Sequence, residues 1–191
     1  MSYVLGADLS TRAVHLAAVP LHEPALLGRS IHLTHADIEQ PKRDEKVDPA
    51  ERAIRAHQAA RTCLHVMHAR GLELHSACVE YPAGRVVAAV TQHAFAAVCC
   101  ALDELPVASM KPAEWRRAIG CVGRGINDKD AGHVSVVGHI TGNAPTARLI
   151  ASVYGKYNVL SDDLPLSGDE LDSLGVALAH RACLLKQEAA A

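Results

Sequence analysis

The stretch VLGADLSTRAVHLAAV, residues 4–19, decides how the rest of the chain is read. An apolar run breaks on Asp8, passes through the short polar segment Ser10, Thr11 and Arg12, and returns as a second apolar run. Two strand-length runs joined by a tight polar turn read as a β-hairpin, SYVLGADL (2–9) against RAVHLAAVP (12–20). A carboxylate at the end of a buried strand is costly unless something satisfies it. Two explanations are open: Asp8 caps the turn with Ser10 and Thr11, or a cation sits against it.

Outward from the hairpin, PALLGRSIHLTH (24–35) reads as a third strand and IEQPKRDEKVDP (38–49) as a polar connection. Asp48 followed by Pro49 is a helix start, with Asp48 as N-cap and Pro49 at the first position. The helix AERAIRAHQAARTCLHVMHAR (50–70) has apolar residues near a 3.6 spacing and stops at Gly71. LHSACVEYP (74–82) is a strand ending on Glu80 and halted by Pro82. The apolar helix 84–105 is expected to lie against a sheet. PVASM (106–110) is a short strand, KPAEWRRAIG (111–120) a short helix, and 123–142 a glycine-bearing loop leading into a helix. DELDSLGVALAHRACLL (169–185) is a final helix with an acidic first turn, and 143–168 carries no clear pattern. This order predicts an α/β fold with a mixed sheet, an antiparallel meander followed by parallel crossovers and flanked by helices.

At 191 residues the chain is expected to be one domain, 1–191, able to bury a core without disulfides. Hydrophobic residues make up 49% and charged residues 21%, so the composition is that of an ordinary globular protein. The formal net charge of −2 excludes a global basic field, so any nucleic-acid contact needs a local patch. The six cysteines form no C-x-x-C pair and read as buried, reduced thiols. No basic-then-apolar leader opens the chain, and the longest apolar run, AFAAVCCAL (94–102), is too short to span a bilayer. A soluble cytoplasmic protein is expected.

Glu80 repeats the situation of Asp8 at the end of another apolar strand. Asp169 and Asp172, spaced i, i+3, share one face of the last helix. If the first and fourth strands are neighbours and the last helix crosses them, four carboxylates converge. Such a cluster repels itself unless divalent ions neutralise it, and hard oxygen ligands favour Mg²⁺ or Mn²⁺. Two such ions about 4 Å apart can activate water and stabilise the leaving oxygen in phosphodiester hydrolysis. Each part has an ordinary alternative: a turn cap for Asp8, an arginine pair for Glu80, and the acid preference of helix starts for Asp169 and Asp172. The order of all three parts is more specific than any one.

In that order the chain resembles the RuvC-type Holliday junction resolvases of the ribonuclease H-like superfamily, including divergent members carried by bacteriophages. VLGADLSTRAVHLAAV (4–19) resembles the family's opening hairpin with its first catalytic Asp. SACVEYP (76–82) resembles its catalytic-Glu strand, and DELDSLGVALAH (169–180) its closing Asp-x-x-Asp helix, with Ser173 where Ala is usual. The resemblance implies Asp8, Glu80, Asp169 and Asp172 as catalytic metal ligands holding two Mg²⁺ or Mn²⁺ ions. GRGINDKDAGHVSVV (123–137) resembles the family's Gly-x-Gly…Lys…Val stretch. By that likeness Lys129 is a phosphate contact, and the preceding basic segment offers Arg116 and Arg117, with Arg124 beside them. The implied protein is a homodimeric endonuclease that cleaves branched DNA such as a four-way junction. Residues 144–165 fit the family poorly and read as an insertion.

The basic residues can equally form a solvated face, and Trp115 can be a core anchor or a platform for a base. His65 with His68, and His133 with His139, invite a zinc site, but no partner at finger-like spacing supports it. GADLSTR (6–12) also resembles the first phosphate loop of actin-like ATPases and sugar kinases, which need a second such domain. The small YqgF-like RNA-processing nucleases share the opening hairpin. A non-catalytic ribonuclease H-like module that only binds branched DNA is the remaining alternative, and the four acids argue against it.

Overall fold

The computed structural model of the chain describes residues 1–10, 12–23, 31–38, 48–82, 89–121, 129–141, 157–158 and 165–191. The opening hairpin is present as expected. Strand β1 (Ser2–Leu9) pairs antiparallel with β2 (Ala13–Pro20), placing Asp8 opposite His15. Ser10 closes the turn: its Oγ accepts from the backbone N–H of Arg12 at 3.2 Å and of Ala13 at 3.1 Å. The third strand, expected over 24–35, is found as β3 (His32–Asp37), pairing antiparallel with β2 to set His35 beside His15. Residues 24–30 of that expectation lie outside the described residues.

The rest of the sheet is parallel. Helix α1 (Pro49–Ala69) crosses one face and delivers β4 (Glu73–Glu80) alongside β1. Helix α2 (Ala89–Ala101) then leads to β5 (Val107–Met110), parallel to β4. The sheet order is β3-β2-β1-β4-β5. The Asp48 side chain accepts from Ala50 N at 3.0 Å, and the turn after α1 passes through Gly71 at φ +74°, a conformation glycine adopts without a Cβ penalty. Helix α2 packs chiefly along α1 and touches β1 and β4 only at its margin, so the expected helix-on-sheet contact is mostly helix on helix.

Helices α3 (Pro112–Ala118), α4 (Lys129–Thr141) and α5 (Gly168–Ala190) cover the opposite face. Alternating residues of the central strands feed two cores. Tyr3, Leu5 and Ala7 of β1 join α1 and α2, whereas Val4 of β1 and Val19 of β2 join α5, α4 and Trp115. Both faces being covered explains why β2 is buried throughout and shows no polar alternation. Of the stretch read as an insertion, β6 (Tyr157–Asn158) pairs antiparallel with β7 (Pro165–Leu166). Among the described residues, no helix is long and apolar enough to cross a membrane.

Two glycines let α5 lie unusually close to its neighbours. A Cβ at Gly6 would stand 2.1 Å from Ser173 O and 2.3 Å from Ala177 N, so β1 and α5 touch backbone to backbone. A Cβ at Gly175 would stand 2.5 Å from the Trp115 ring, which lies flush on the helix. Backbone atoms cannot turn aside as a side chain can. Gly6→Ala is therefore expected to cost about 3 kcal/mol, the upper end of ordinary overpacking, read as a drop in the urea midpoint at unchanged m-value.

Candidate metal centre

The parallel pairing of β1 with β4 runs to Ala7 and Val79, so the next residues, Asp8 and Glu80, stand side by side where both strands end. Together with His15 and His35, they form one row across the sheet on the face that carries α5. A capping box starts α5: Ser167 Oγ accepts from Glu170 N at 3.2 Å, and Glu170 Oε2 accepts from Ser167 N at 2.7 Å. That fixed start, with the Gly6 contact one and a half turns on, sets Asp169 and Asp172 over the strand ends.

Ligand oxygens of Asp8, Asp169 and Asp172 all lie within 4.8 Å of one another. Ser10 Oγ closes the hairpin turn, and the Asp8 carboxylate is turned into this group of acids. Glu80 stands beside it, with Oε2 accepting from Trp115 Nε1 at 2.7 Å. Trp115 is fully buried, so it is a core anchor that also orients an acid, and base stacking is excluded. Lys129 Nζ lies 2.6 Å from Asp172 Oδ2 and 3.9 Å from Asp169 Oδ1. His133 Nε2 is 2.9 Å from Asp172 Oδ1.

Burial pushes the Asp8 carboxyl well above its ordinary range, and repulsion from Glu80, Asp172 and Asp169 adds to the rise. Glu80 is raised to about 7 by burial and by Asp172, with the Trp115 hydrogen bond, Arg116 and Lys129 opposing. Asp172 goes the other way: burial again raises it, but hydrogen bonds from His133 and Lys129 outweigh that and hold it low. Two carboxyls are thus pressed toward protonation while a third is kept ionised. Burial also lowers His15, which stands 3.8 Å from Asp169.

The structure brings together Asp8, Glu80, Asp169, Asp172 and Lys129. Of the remaining basic residues, Arg117 is exposed, whereas Arg116 is buried with its guanidinium carbon 5.1 Å from the Trp115 ring centre and its charge acting on Glu80. Arg124 lies outside the described residues. No histidine joins a group of three potential metal ligands among the described residues. Sequence reasoning considered His133 only with His139 and passed over His15. The spacing of Lys129 and His133, i and i+4 on one helix face, was the signal available for the former.

No protein-family model matches the chain, and no curated protein matches it. Among solved structures, Thermus thermophilus RuvC superposes with a TM-score of 0.57 over 97% of this chain and 96% of that one, at 17% identity. The same protein in complex with a Holliday junction substrate gives 0.56 at 16% identity and the same coverage. The fold is RuvC-like. The expected ribonuclease H-like mixed sheet flanked by helices is therefore what the chain forms.

The raised carboxyls make a pH prediction for the metal-free protein. A group that binds its proton more tightly folded than unfolded loses stability as pH climbs from the unfolded to the folded value. For Glu80 that window runs from 4.5 to about 7, and Asp8 acts with the same sign. Buried His15 and His180 and half-buried His32, shifted down, tilt the opposite way, so the informative quantity is a difference. Urea melts in chelator buffer should show Glu80→Gln gaining on the wild type across this window and matching it below. A constant gap would remove Glu80 as a strained acid.

Proposed function

We propose that the protein is a divalent-metal-dependent endonuclease that cuts branched DNA, a four-way junction being the expected substrate. The observation that carries this reading is the convergence of Asp8, Asp169 and Asp172 at the strand ends of a RuvC-like fold, with Glu80 alongside. The donor set fits a hard cation: all are carboxylate oxygens, burial and the neighbouring acids press Asp8 and Glu80 toward protonation, and an ammonium already sits against Asp172 and Asp169. Asp8, Asp169 and Asp172, with Glu80, would hold Mg²⁺ or Mn²⁺, in the two-ion form two per site. When bound there, such ions activate water and neutralise charge on the departing oxygen in phosphodiester hydrolysis.

The chain's own groups prepare that chemistry. Trp115 N–H fixes one oxygen of Glu80 and leaves the other to the site. Lys129, with a half-exposed side chain, reaches both the acids and the solvent where a phosphate would arrive. Exposed Arg117 is the second proposed phosphate contact, on the helix that carries Trp115. That the structurally similar Thermus protein has been seen with a Holliday junction substrate supports branched DNA as the target.

The deciding experiment is a cleavage panel of four-way junction, flap, duplex and RNA–DNA hybrid in Mg²⁺, Mn²⁺, Ca²⁺ and EDTA. Cutting of branched DNA in Mg²⁺ or Mn²⁺ only is expected. Full activity in EDTA sinks the metal reading, binding without cutting supports a non-catalytic module, and preference for RNA supports a processing nuclease. Asp8→Asn should keep junction binding and fold while cleavage falls about a thousand-fold, since the ion supplies several kcal/mol and about 1.4 kcal/mol is a factor of ten. A junction needs two symmetric cuts, so the active preparation should sediment as a dimer.

Arg117→Ala separates a DNA contact from a solvated face. Removing one bound phosphate from the interface lowers the log–log salt slope of junction binding by about one. An unchanged slope returns Arg117 to the solvent.

A further inference from the structure

Helix α4 places two side chains on the same carboxylate. Lys129 and His133, four residues apart, each take one oxygen of Asp172: Nζ lies 2.6 Å from Oδ2, and Nε2 lies 2.9 Å from Oδ1. The two partners differ in freedom. His133 is 4% exposed and Asp172 is 4% exposed, so this hydrogen bond is locked inside the fold. The Lys129 side chain is 51% exposed, on a long flexible stem, and its ammonium also approaches Asp169 Oδ1 at 3.9 Å. A carboxylate oxygen only accepts, so Nε2 carries the proton of the His133 ring.

The approach of α4 to the start of α5 is itself built. Gly168, the first residue of α5, stands where a Cβ would be 3.3 Å from His133 Cε1 and 3.7 Å from Lys129 Cε. A Cβ there would be tight against His133 and in ordinary contact with Lys129. A cation arriving at the Asp8, Asp169 and Asp172 oxygens must compete with Lys129 for Oδ2. A carboxylate held only by a mobile lysine would swing as that lysine left, and the group would reach the ion with no set orientation.

We propose that His133 is the positioning residue of this centre: its Nε2–H holds Oδ1 of Asp172, so Oδ2 stays presented to the incoming ion when Lys129 gives it up. This rests on the metal-dependent reading above. It assigns the two α4 residues different tasks, a fixed clamp and a replaceable counter-charge. Outer hydrogen-bond partners of this kind are typically worth about 10- to 100-fold in metal affinity.

The test is Mn²⁺ binding to the metal-free protein, followed by the electron paramagnetic resonance signal of free Mn²⁺, so no cleavage is needed. His133→Gln and His133→Leu are close in volume, and the Gln amide can still donate where Nε2 does. His133→Leu should weaken Mn²⁺ binding by about 10-fold or more, and His133→Gln should restore most of it. In an Asp172→Asn background, His133→Leu should have little further effect, because the group it positions is already impaired. Melting curves of each variant show that it is folded. Wild-type affinity in both variants overturns the proposal, and so does equal weakening in both, which marks a packing role. If the wild type binds no Mn²⁺, the metal reading fails and the positioning role falls with it. Tight wild-type binding that His133→Leu leaves unchanged removes the positioning role alone.

Discussion

The backbone contact between β1 and α5 at Gly6 is the constraint on which the rest of the structure depends. With a Cβ only 2.1 Å from Ser173 O, no other residue fits without moving one element off the other. That contact sets the height and rotation of α5 over the sheet. Asp172 precedes Ser173, and Asp169 lies one turn earlier, so both acids come down beside Asp8, two residues beyond Gly6 on the strand. Gly175 repeats the device on another side of the helix, where Trp115 lies flush and reaches Glu80 with its N–H. Two missing side chains thereby bring four carboxylates to one end of the sheet.

What they assemble is electrostatically costly. Asp8 and Glu80 are buried next to two further acids, and both are driven toward protonation. The fold answers asymmetrically. Trp115 offers Glu80 one neutral donor, whereas Asp172 receives a lysine and a histidine and remains ionised. Local rules of stability are broken where four acids meet, while the caps of α1 and α5 obey them. Acids buried against one another in this way are the pattern expected of a functional site. A cation placed there would relieve repulsion that no apolar group could.

Much of this was legible along the chain because it is local. Strand lengths, the Asp48 and Pro49 helix start, the stop at Gly71 and the i, i+3 pair in the last helix depend on neighbours a few residues away. The boundaries of β1 and α1 accordingly agree with expectation to within about a residue. The third strand runs two residues beyond its expected end, to Asp37, since its extent is set by pairing with β2, a long-range matter. Arg116 and Arg117 illustrate the limit best. They are adjacent and identical in type, yet one is buried against Trp115 and the other faces solvent, because a single step of a short helix turns a side chain by about 100°.

By itself the sequence determined the order of elements, the mixed character of the sheet and the three segments that carry acids. Those follow from hydrophobic period, capping chemistry and turn residues, which act over short distances. Only the tertiary structure decided that Asp8 meets Asp169 and Asp172, that Trp115 orients Glu80, and that His133 and Lys129 divide Asp172 between them. Each of the last two joins residues far apart in sequence, at separations of 35 and 39 for Trp115 with Glu80 and His133 with Asp172. Their meeting depends on how closely α5 settles on β1, a distance governed by backbone against backbone at Gly6.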